Sequence, residues 1–381
     1  MTPTPLRLCF LTGTLNAVAG AERMTATMAN ALASQGYAVT ILSLWDSASC
    51  FPLHPAVNHQ ALFAHRPSFK RAYATTVAGI RHHLRENKTA VLVEVDPMLS
   101  FFALPAALGL GVRHIAWEHC HFDEDLGKPA RRLARRLAAR FYEAVVVLTE
   151  RDRRRWLQAL RPRSRIACIP NPLPFSMPEQ ASSRTAKTVL AVGRLVAAKG
   201  FDVLLRAWAE VAPLAPDWRL TIVGEGDERV ALEALRDELG LGACVTLPGI
   251  CADVTAAYSQ ASVFCLSSRY EGFGLVLVEA MAFGLPIVAT DCETGPRELL
   301  EPGRDAIVVP VGQPAPLARA LAHMISHPGE AAILGEAARQ KASGFLPEPI
   351  IQRWEALLDR CDAGNERWQR GDLKFPGDEN K

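Results

Sequence analysis

The chain has 381 residues, more than one ordinary core accommodates, so two domains are the first expectation. Hydrophobic and charged contents of 49% and 22% exclude a wholly disordered or fibrous chain and leave only the polar stretch from about Asp362 to Lys381 to fray. The net charge of +2 conceals a division: residues 1–180 carry 22 Lys and Arg against 13 Asp and Glu, the remainder 20 against 27.

Leu6–Leu11 is apolar but short and runs into Gly13 without a small-residue cleavage site, so it reads as a buried first strand rather than a signal peptide. Ala19-Gly20-Ala21-Glu22-Arg23 then opens a helix over Ala21–Ser34. Gly20 there lets the backbone approach an anion at the helix N-terminus, although a flexible strand–helix loop fits the same residues. Further strands are expected at Ala38–Leu44, Ala90–Val95, Val112–Trp117 and Ala144–Leu148. Met98–Val112 is nearly uncharged, yet it is shorter than the ~20 residues of a spanning helix and is interrupted by Pro105. A cytoplasmic protein without a span is therefore expected.

His119 follows the Val112–Trp117 strand, where it either faces a ligand or is a hydrogen-bonded structural residue. Asp123-Glu124-Asp125 contains D-x-D and reads as a solvated acidic loop rather than a metal site. Residues 128–142 place Arg132, Arg135, Arg136 and Arg140 at spacings of three to four, with Leu133, Leu137 and Phe141 recurring every four. Such a helix is expected to pack through its leucines and offer its arginines to an anionic membrane surface, a solvated face being the plain alternative. No aromatic or helix-turn-helix signature accompanies the arginines, which argues against nucleic acid.

Pro170–Lys187 holds four prolines and reads as a linker. Beyond it the strand–helix rhythm repeats. Strands are expected at Thr188–Val192, Arg219–Val223, Cys244–Leu247, Val263–Leu266, Pro286–Ala289 and Ala306–Val309. Helices are expected at Phe201–Val211, Glu228–Leu239, Leu275–Phe283, Pro316–Ile325 and Glu330–Lys341. The alternation predicts an α/β protein of two doubly wound, Rossmann-like domains facing across a cleft: residues 1–170, a linker over 171–187, 188–345, then a C-terminal helix and tail over 346–381.

Chemistry concentrates in the loops after these later strands. Arg194 and Lys199 lie between a strand end and a helix start, where two cations beside backbone N–H groups suit a diphosphate, or are simply solvated. Lys199 is followed by Gly, so this is not a Walker loop. Gly224-Glu225-Gly226 lacks the third glycine of a dinucleotide fingerprint, which disfavours a nicotinamide dehydrogenase. In the segment Ser268–Ala280, which opens Ser268-Arg269-Tyr270-Glu271-Gly272-Phe273-Gly274-Leu275, two glycines shape a loop and the amides of Phe273, Gly274 and Leu275 open a helix. Glu271 and Glu279 can then bond hydroxyls along one elongated ligand, but are poorly placed to flank a glycosidic bond as hydrolases require. The nine cysteines, an odd number with no C-x-x-C pair, read as free thiols rather than a zinc or disulfide framework.

Arg194 with Lys199, the Glu271/Glu279 pair, Gly20-Ala21-Glu22-Arg23 and the Asp291–Glu298 segment together resemble glycosyltransferase family 4 over about residues 6–345. The Gly295-Pro296-Arg297-Glu298 variant and Trp117-Glu118-His119 are similar to its bacterial surface-polysaccharide branch; Ala19 departs from the second glycine many members carry. The resemblance implies a retaining hexosyltransferase of the two-Rossmann-domain (GT-B) architecture without cofactor or metal. Its C-terminal helix, about Ile350–Arg360, would cross back onto the first domain. It implies a nucleotide-sugar donor, UDP preferred, and a lipid-linked or glycan acceptor met at the inner face of the cell membrane. Arg194 and Lys199 would bind the diphosphate, Glu279 the ribose, and Glu271 the transferred sugar. The Phe273–Leu275 amides would hold sugar and phosphate, the turn at Ile250 would read the base, Gly20 would line the donor site, and His119 would lie beside the reacting sugar. The alternatives are an epimerase or phosphorylase on the same architecture, or a non-catalytic nucleotide-sugar-binding protein.

Overall fold

The computed structural model describes residues 5–251 and 253–362; the expected tail beyond Asp362 lies outside them. Two compact units result, one running to Pro172 and resuming at Pro347, the other spanning Leu173–Leu346.

In the first unit β1 (Arg7–Thr12), β2 (Ala38–Trp45), β3 (Asn58–Phe63), β4 (Val91–Glu94), β5 (Arg113–Trp117), β6 (Ala144–Val147) and β7 (Arg165–Cys168) form one parallel sheet in the order β3-β2-β1-β4-β5-β6-β7. The intervening helices are α1 (Gly20–Ser34), α2 (Tyr73–Glu86), α3 (Ser100–Ala107), α4 (Ala130–Phe141) and α5 (Glu150–Leu160). In the second unit β8 (Thr188–Val192), β9 (Arg219–Val223), β10 (Val245–Gly249), β11 (Val263–Leu266), β12 (Ile287–Thr290) and β13 (Ala306–Val309) pair in the order β10-β9-β8-β11-β12-β13, again all parallel. Its helices are α6 (Phe201–Val211), α7 (Arg229–Glu238), α8 (Val254–Ser259), α9 (Leu275–Ala282), α10 (Pro296–Leu299), α11 (Pro314–Ser326) and α12 (Pro328–Ala342). The chain then returns to the first unit with α13 (Pro347–Asp362), whose buried Trp354 meets Trp117 edge-on at 5.0 Å.

The strands form where the sequence is continuously apolar. All four residues of β6, β11 and β12 are buried, as expected of parallel strands covered on both faces. Helix α6 buries Phe201, Leu204, Leu205, Trp208 and Val211, a three-to-four spacing that turns one face to the sheet. In both sheets the strand order reverses beside the first strand, between β1 and β4 and between β8 and β11. Loops at the carboxyl ends of strands flanking such a switch point are where open α/β sheets take their ligands.

Three expectations are corrected. Strands β3 and β7 were not anticipated: both are edge strands, and β3 reads Asn-His-Gln-Ala-Leu-Phe, apolar only in its second half. The stretch 173–187 is not free chain, because Ser182 donates to the carbonyl of Ala261, the Ser182 amide to Phe283, and Arg339 to the carbonyls of Pro178 and Glu179. The third concerns α4, which turns the other way from its expected orientation. Its alanines, Ala134, Ala138 and Ala139, pack inward together with Arg131 and Arg135, while Leu133 and Phe141 are 49% and 60% exposed. Arg132, Arg136 and Arg140 remain outward. Arg135, counted among the outward cations, is instead paired with buried Glu118, and a guanidinium so paired can enter a core that small side chains leave room for.

Candidate active site

The loops after β8 and β11 are adjacent because their strands pair, and side chains then lock them together. The Ser267 hydroxyl donates to the carbonyl of Lys199 at 2.9 Å, and the Arg269 amide donates to Ala198 at 2.7 Å. Arg269 also grips Asp202 at the start of α6 with two hydrogen bonds, 2.8 and 2.7 Å. The result brings Lys199 onto Glu271: its Nζ lies 2.7 and 2.9 Å from the two carboxylate oxygens. The Ser268 hydroxyl donates to Glu271 Oε1 at 2.6 Å. Glu271 is 6% exposed, so this carboxylate is desolvated and answered by one cation and one hydroxyl.

Gly200 makes that approach possible. Its φ is +62°, and a Cβ at this position would lie 2.2 Å from the Ser267 carbonyl oxygen. Gly200→Ala is expected to push the two loops apart and break the Lys199–Glu271 pair, at a cost of about 2 kcal/mol or more in unfolding free energy. Denaturant titration measures it; a change within ~0.5 kcal/mol would show that the loops tolerate the separation.

The segment Asp291–Glu298 buttresses the same loop from behind. The Thr294 hydroxyl donates to the Glu271 carbonyl. Gly295, at φ +79°, lets the chain pass where a Cβ would sit 2.5 Å from the Phe273 oxygen. Arg297 and Asp291 bind each other at 2.8 Å through both guanidinium nitrogens facing the carboxylate. Phe273 is buried with its ring edge-on to Phe345, Gly274 caps α9 in the left-handed region, and Leu275 is its first residue. Glu279 lies on α9, buried, and accepts from the Tyr258 hydroxyl at 2.7 Å.

Arg194 begins the loop that Lys199 ends. It is exposed, and its guanidinium pairs with no acidic side chain among the described residues. Ile250 is 55% exposed and follows Gly249 at the end of β10. These candidates all belong to the second unit. Gly20 and His119 belong to the first: Gly20 is the exposed first residue of α1, and His119 follows β5.

The ring of His119 packs 4.5 Å from Trp117, and its Nε2 is enclosed with no hydrogen-bond partner among the described residues. Burial pulls its pKa down to about 4, so it is neutral near pH 7 and presents either an N–H or a lone pair. Neighbouring Glu118 is pushed above the ordinary carboxylate range by burial, with Arg135 and Arg131 opposing the shift. The acidic loop is answered by arginines: Asp123 by Arg151 and Arg155, Asp125 by Arg132. No group of three or more His, Cys, Asp or Glu suited to a metal occurs among the described residues.

Ser267, Ser268, Arg269, Tyr258 and Thr294 carry much of this geometry; Ser268, Arg269 and Thr294 fall within the segments marked in the sequence but without a role of their own, and Ser267 and Tyr258 fall outside them. The available signal is that Ser267-Ser268-Arg269 directly follows the apolar run of β11, at the end of the strand where ligands gather.

Residues 174–341 match the family of glycosyl transferases group 1, and residues 18–176 match Glycosyltransferase Family 4. An uncharacterized glycosyltransferase of Haemophilus influenzae is 31% identical over 92% of this chain and 99% of its own length. A Campylobacter jejuni alpha-1,4-N-acetyl-D-galactosaminyltransferase, named for an acceptor carried on PP-undecaprenol, is 27% identical over 93% and 98%. Among solved structures, a sucrose-phosphate synthase from Thermosynechococcus elongatus superposes with a TM-score of 0.82 at 20% identity, covering 94% of this chain and all of its own. HepE of Anabaena, solved with UDP and glucose, gives 0.79 at 20% identity over 93% and 99%. Both share the GT-B fold.

Proposed function

This chain belongs to glycosyltransferase family 4, and from that membership we propose that it transfers a hexosyl group, with retention of configuration, from a UDP-sugar to a lipid-linked or polysaccharide acceptor in bacterial surface-glycan assembly. The observation that carries the reading is the Lys199–Glu271 pair, set at the switch point of the second sheet beside the start of α9. Donor binding exchanges partners: a diphosphate oxygen replaces Glu271 on Lys199, and the released carboxylate accepts hydroxyls of the sugar. Exposed Arg194 takes the other phosphate, the Phe273–Leu275 amides hold phosphate and sugar, Glu279 takes the ribose, and the turn at Ile250 meets the base. The family resemblance also assigns Gly20 and His119, the latter neutral, to the donor and the reacting sugar; both belong to the first unit.

When the sugar–oxygen bond breaks, charge builds on the leaving diphosphate. Lys199, Arg194 and the helix N-terminus stabilise it where water is scarce. Attack on the same face, with the leaving phosphate accepting the acceptor's proton, requires no side-chain nucleophile. The UDP preference rests on the similarity to HepE, and the lipid-linked acceptor on the Campylobacter relative.

A screen of UDP-sugars against lipid-linked acceptors, with product linkage read by NMR, tests the proposal. The expected product depends on acceptor and keeps the donor's anomeric configuration. Inversion would overturn the retaining mechanism, sugar interconversion or phosphorolysis without acceptor would favour the epimerase or phosphorylase, and binding without turnover a non-catalytic protein.

No helix among the described residues is long and apolar enough to span a membrane. Contact with lipid-linked acceptor instead runs through the outward face of α4, where Leu133 and Phe141 stand among Arg132, Arg136 and Arg140. Cations interleaved with exposed apolar side chains suit the inner, anionic face of a membrane, at about 1 kcal/mol per nearby arginine. Vesicle co-sedimentation should rise with anionic-lipid fraction and fall with salt. Changing Arg132, Arg136 and Arg140 together to Gln should remove up to about 3 kcal/mol of that binding. Equal partitioning of the two proteins would leave α4 an ordinary solvated surface.

A further inference from the structure

The loop between β5 and α4 has no regular structure; Glu118 is buried, 119–122, 124 and 125 are half-buried, and Asp123 and 126–129 are exposed. Its carbonyls lack the ladder that would satisfy them, and those of the half-buried stretch His121–Glu124 are partly shielded from the water that would otherwise serve. Arg135 of α4 supplies the partners. Its Nη2 donates to the carbonyls of His121 at 3.1 Å and Glu124 at 2.9 Å, its Nη1 donates to Phe122, and its Nε donates to Glu118 Oε2 at 2.7 Å. The guanidinium also lies over the Phe122 ring, 5.5 Å from its centroid.

Glu118 carries the constraint back to the start of the loop. Its Oε1 accepts the Cys120 amide at 3.1 Å and lies 3.5 Å from Arg131 Nη1. Arg131 in turn grips Asp96, at the end of β4, with hydrogen bonds of 2.9 and 2.8 Å. His119 thus sits between two residues whose positions are set by one carboxylate, with its ring against Trp117. The network ties α4, through Arg131 and Arg135, to the residues just after β4 and β5, Asp96 and Glu118, on strands that pair beside the switch point of the first sheet.

Stability alone is a weak reason for such an arrangement. Burying two guanidinium groups and a carboxylate carries a desolvation cost, and well-packed apolar side chains would serve the core as well or better. A planar fork with several donors at fixed angles offers something those side chains cannot: it sets the path of an irregular loop.

We propose that Arg135 and Glu118 are positioning residues that hold the loop 118–124 so that the unpaired Nε2 of His119 meets the substrate. The proposal rests on the reading of His119 as lining the reacting end. Lysine at position 135 keeps the charge but has one donor group and cannot reach three carbonyls and a carboxylate together. Arg135→Lys is therefore expected to lower kcat about tenfold or more, as loss of orientation does. Affinity for UDP, which the second unit holds, should stay the same.

The test is a double-mutant cycle of Arg135→Lys with His119→Ala, reading kcat, donor KM and UDP affinity on folded protein, with active fraction measured by donor titration. The expected result is that His119→Ala lowers kcat and that Arg135→Lys then costs little further, because its effect passes through His119. If both single variants are slow and their effects simply multiply, the clamp does not act through His119 and the proposal is overturned. If His119→Ala turns over normally, the reading of His119 itself fails and takes the proposal with it. Should Arg135→Lys not fold, Glu118→Gln carries the same cycle. It keeps an acceptor for the Cys120 amide while losing the charge that orients Arg135, so it should show a smaller loss of the same non-additive kind.

Discussion

Lys199→Ala is expected to lower kcat/KM by about 2–4 kcal/mol in transition-state stabilisation, a fall of roughly 30- to 900-fold. Two losses combine. The diphosphate loses a charge-assisted contact in a desolvated loop, and Glu271 loses the cation that lies 2.7 Å away. With Glu271 only 6% exposed, its carboxylate would then depend on the Ser268 hydroxyl alone. Affinity for UDP should weaken alongside turnover, measured calorimetrically on folded protein. Unchanged turnover and affinity would remove Lys199 from the donor site.

Glu271→Gln has a different expected signature. The amide keeps the shape of the carboxylate but cannot accept two hydroxyl protons with a charge behind them, so transfer should fall by about 100-fold or more, in the range of lost charged hydrogen bonds. UDP affinity should stay the same or rise, because Glu271 no longer competes with the diphosphate for Lys199. UDP-sugar should then lose its advantage over UDP. A collapse of UDP affinity would mean that Glu271 serves the nucleotide, and that the division of labour between Glu271 and Glu279 is reversed.

Much of this protein was determined locally. Short continuous apolar runs bounded by turn residues, such as Val263–Leu266, mark buried parallel strands, so eleven of the strands were legible where they stand, as were α6, α7, α9, α11 and α12 of the second unit but not the short α8. The glycines of Glu271–Gly274 and the spacing to Glu279 likewise marked a loop opening a helix, because backbone conformation at those positions follows from the residues themselves. What the sequence did not determine depends on partners distant in the chain. Edge strands β3 and β7 carry only short apolar stretches, Ala61–Phe63 and Ile166–Cys168, and become strands because a neighbouring strand offers a ladder. Lys199 and Glu271, 72 positions apart, could be assigned separately to phosphate and sugar, but only the pairing of β8 with β11 brings them together as one ion pair. Helix α4 shows the same limit: its periodicity is compatible with either face turned inward. Glu118 is buried and the half-buried loop carbonyls beside it accept from Arg135, so Arg135 is turned in and Leu133 is left outside.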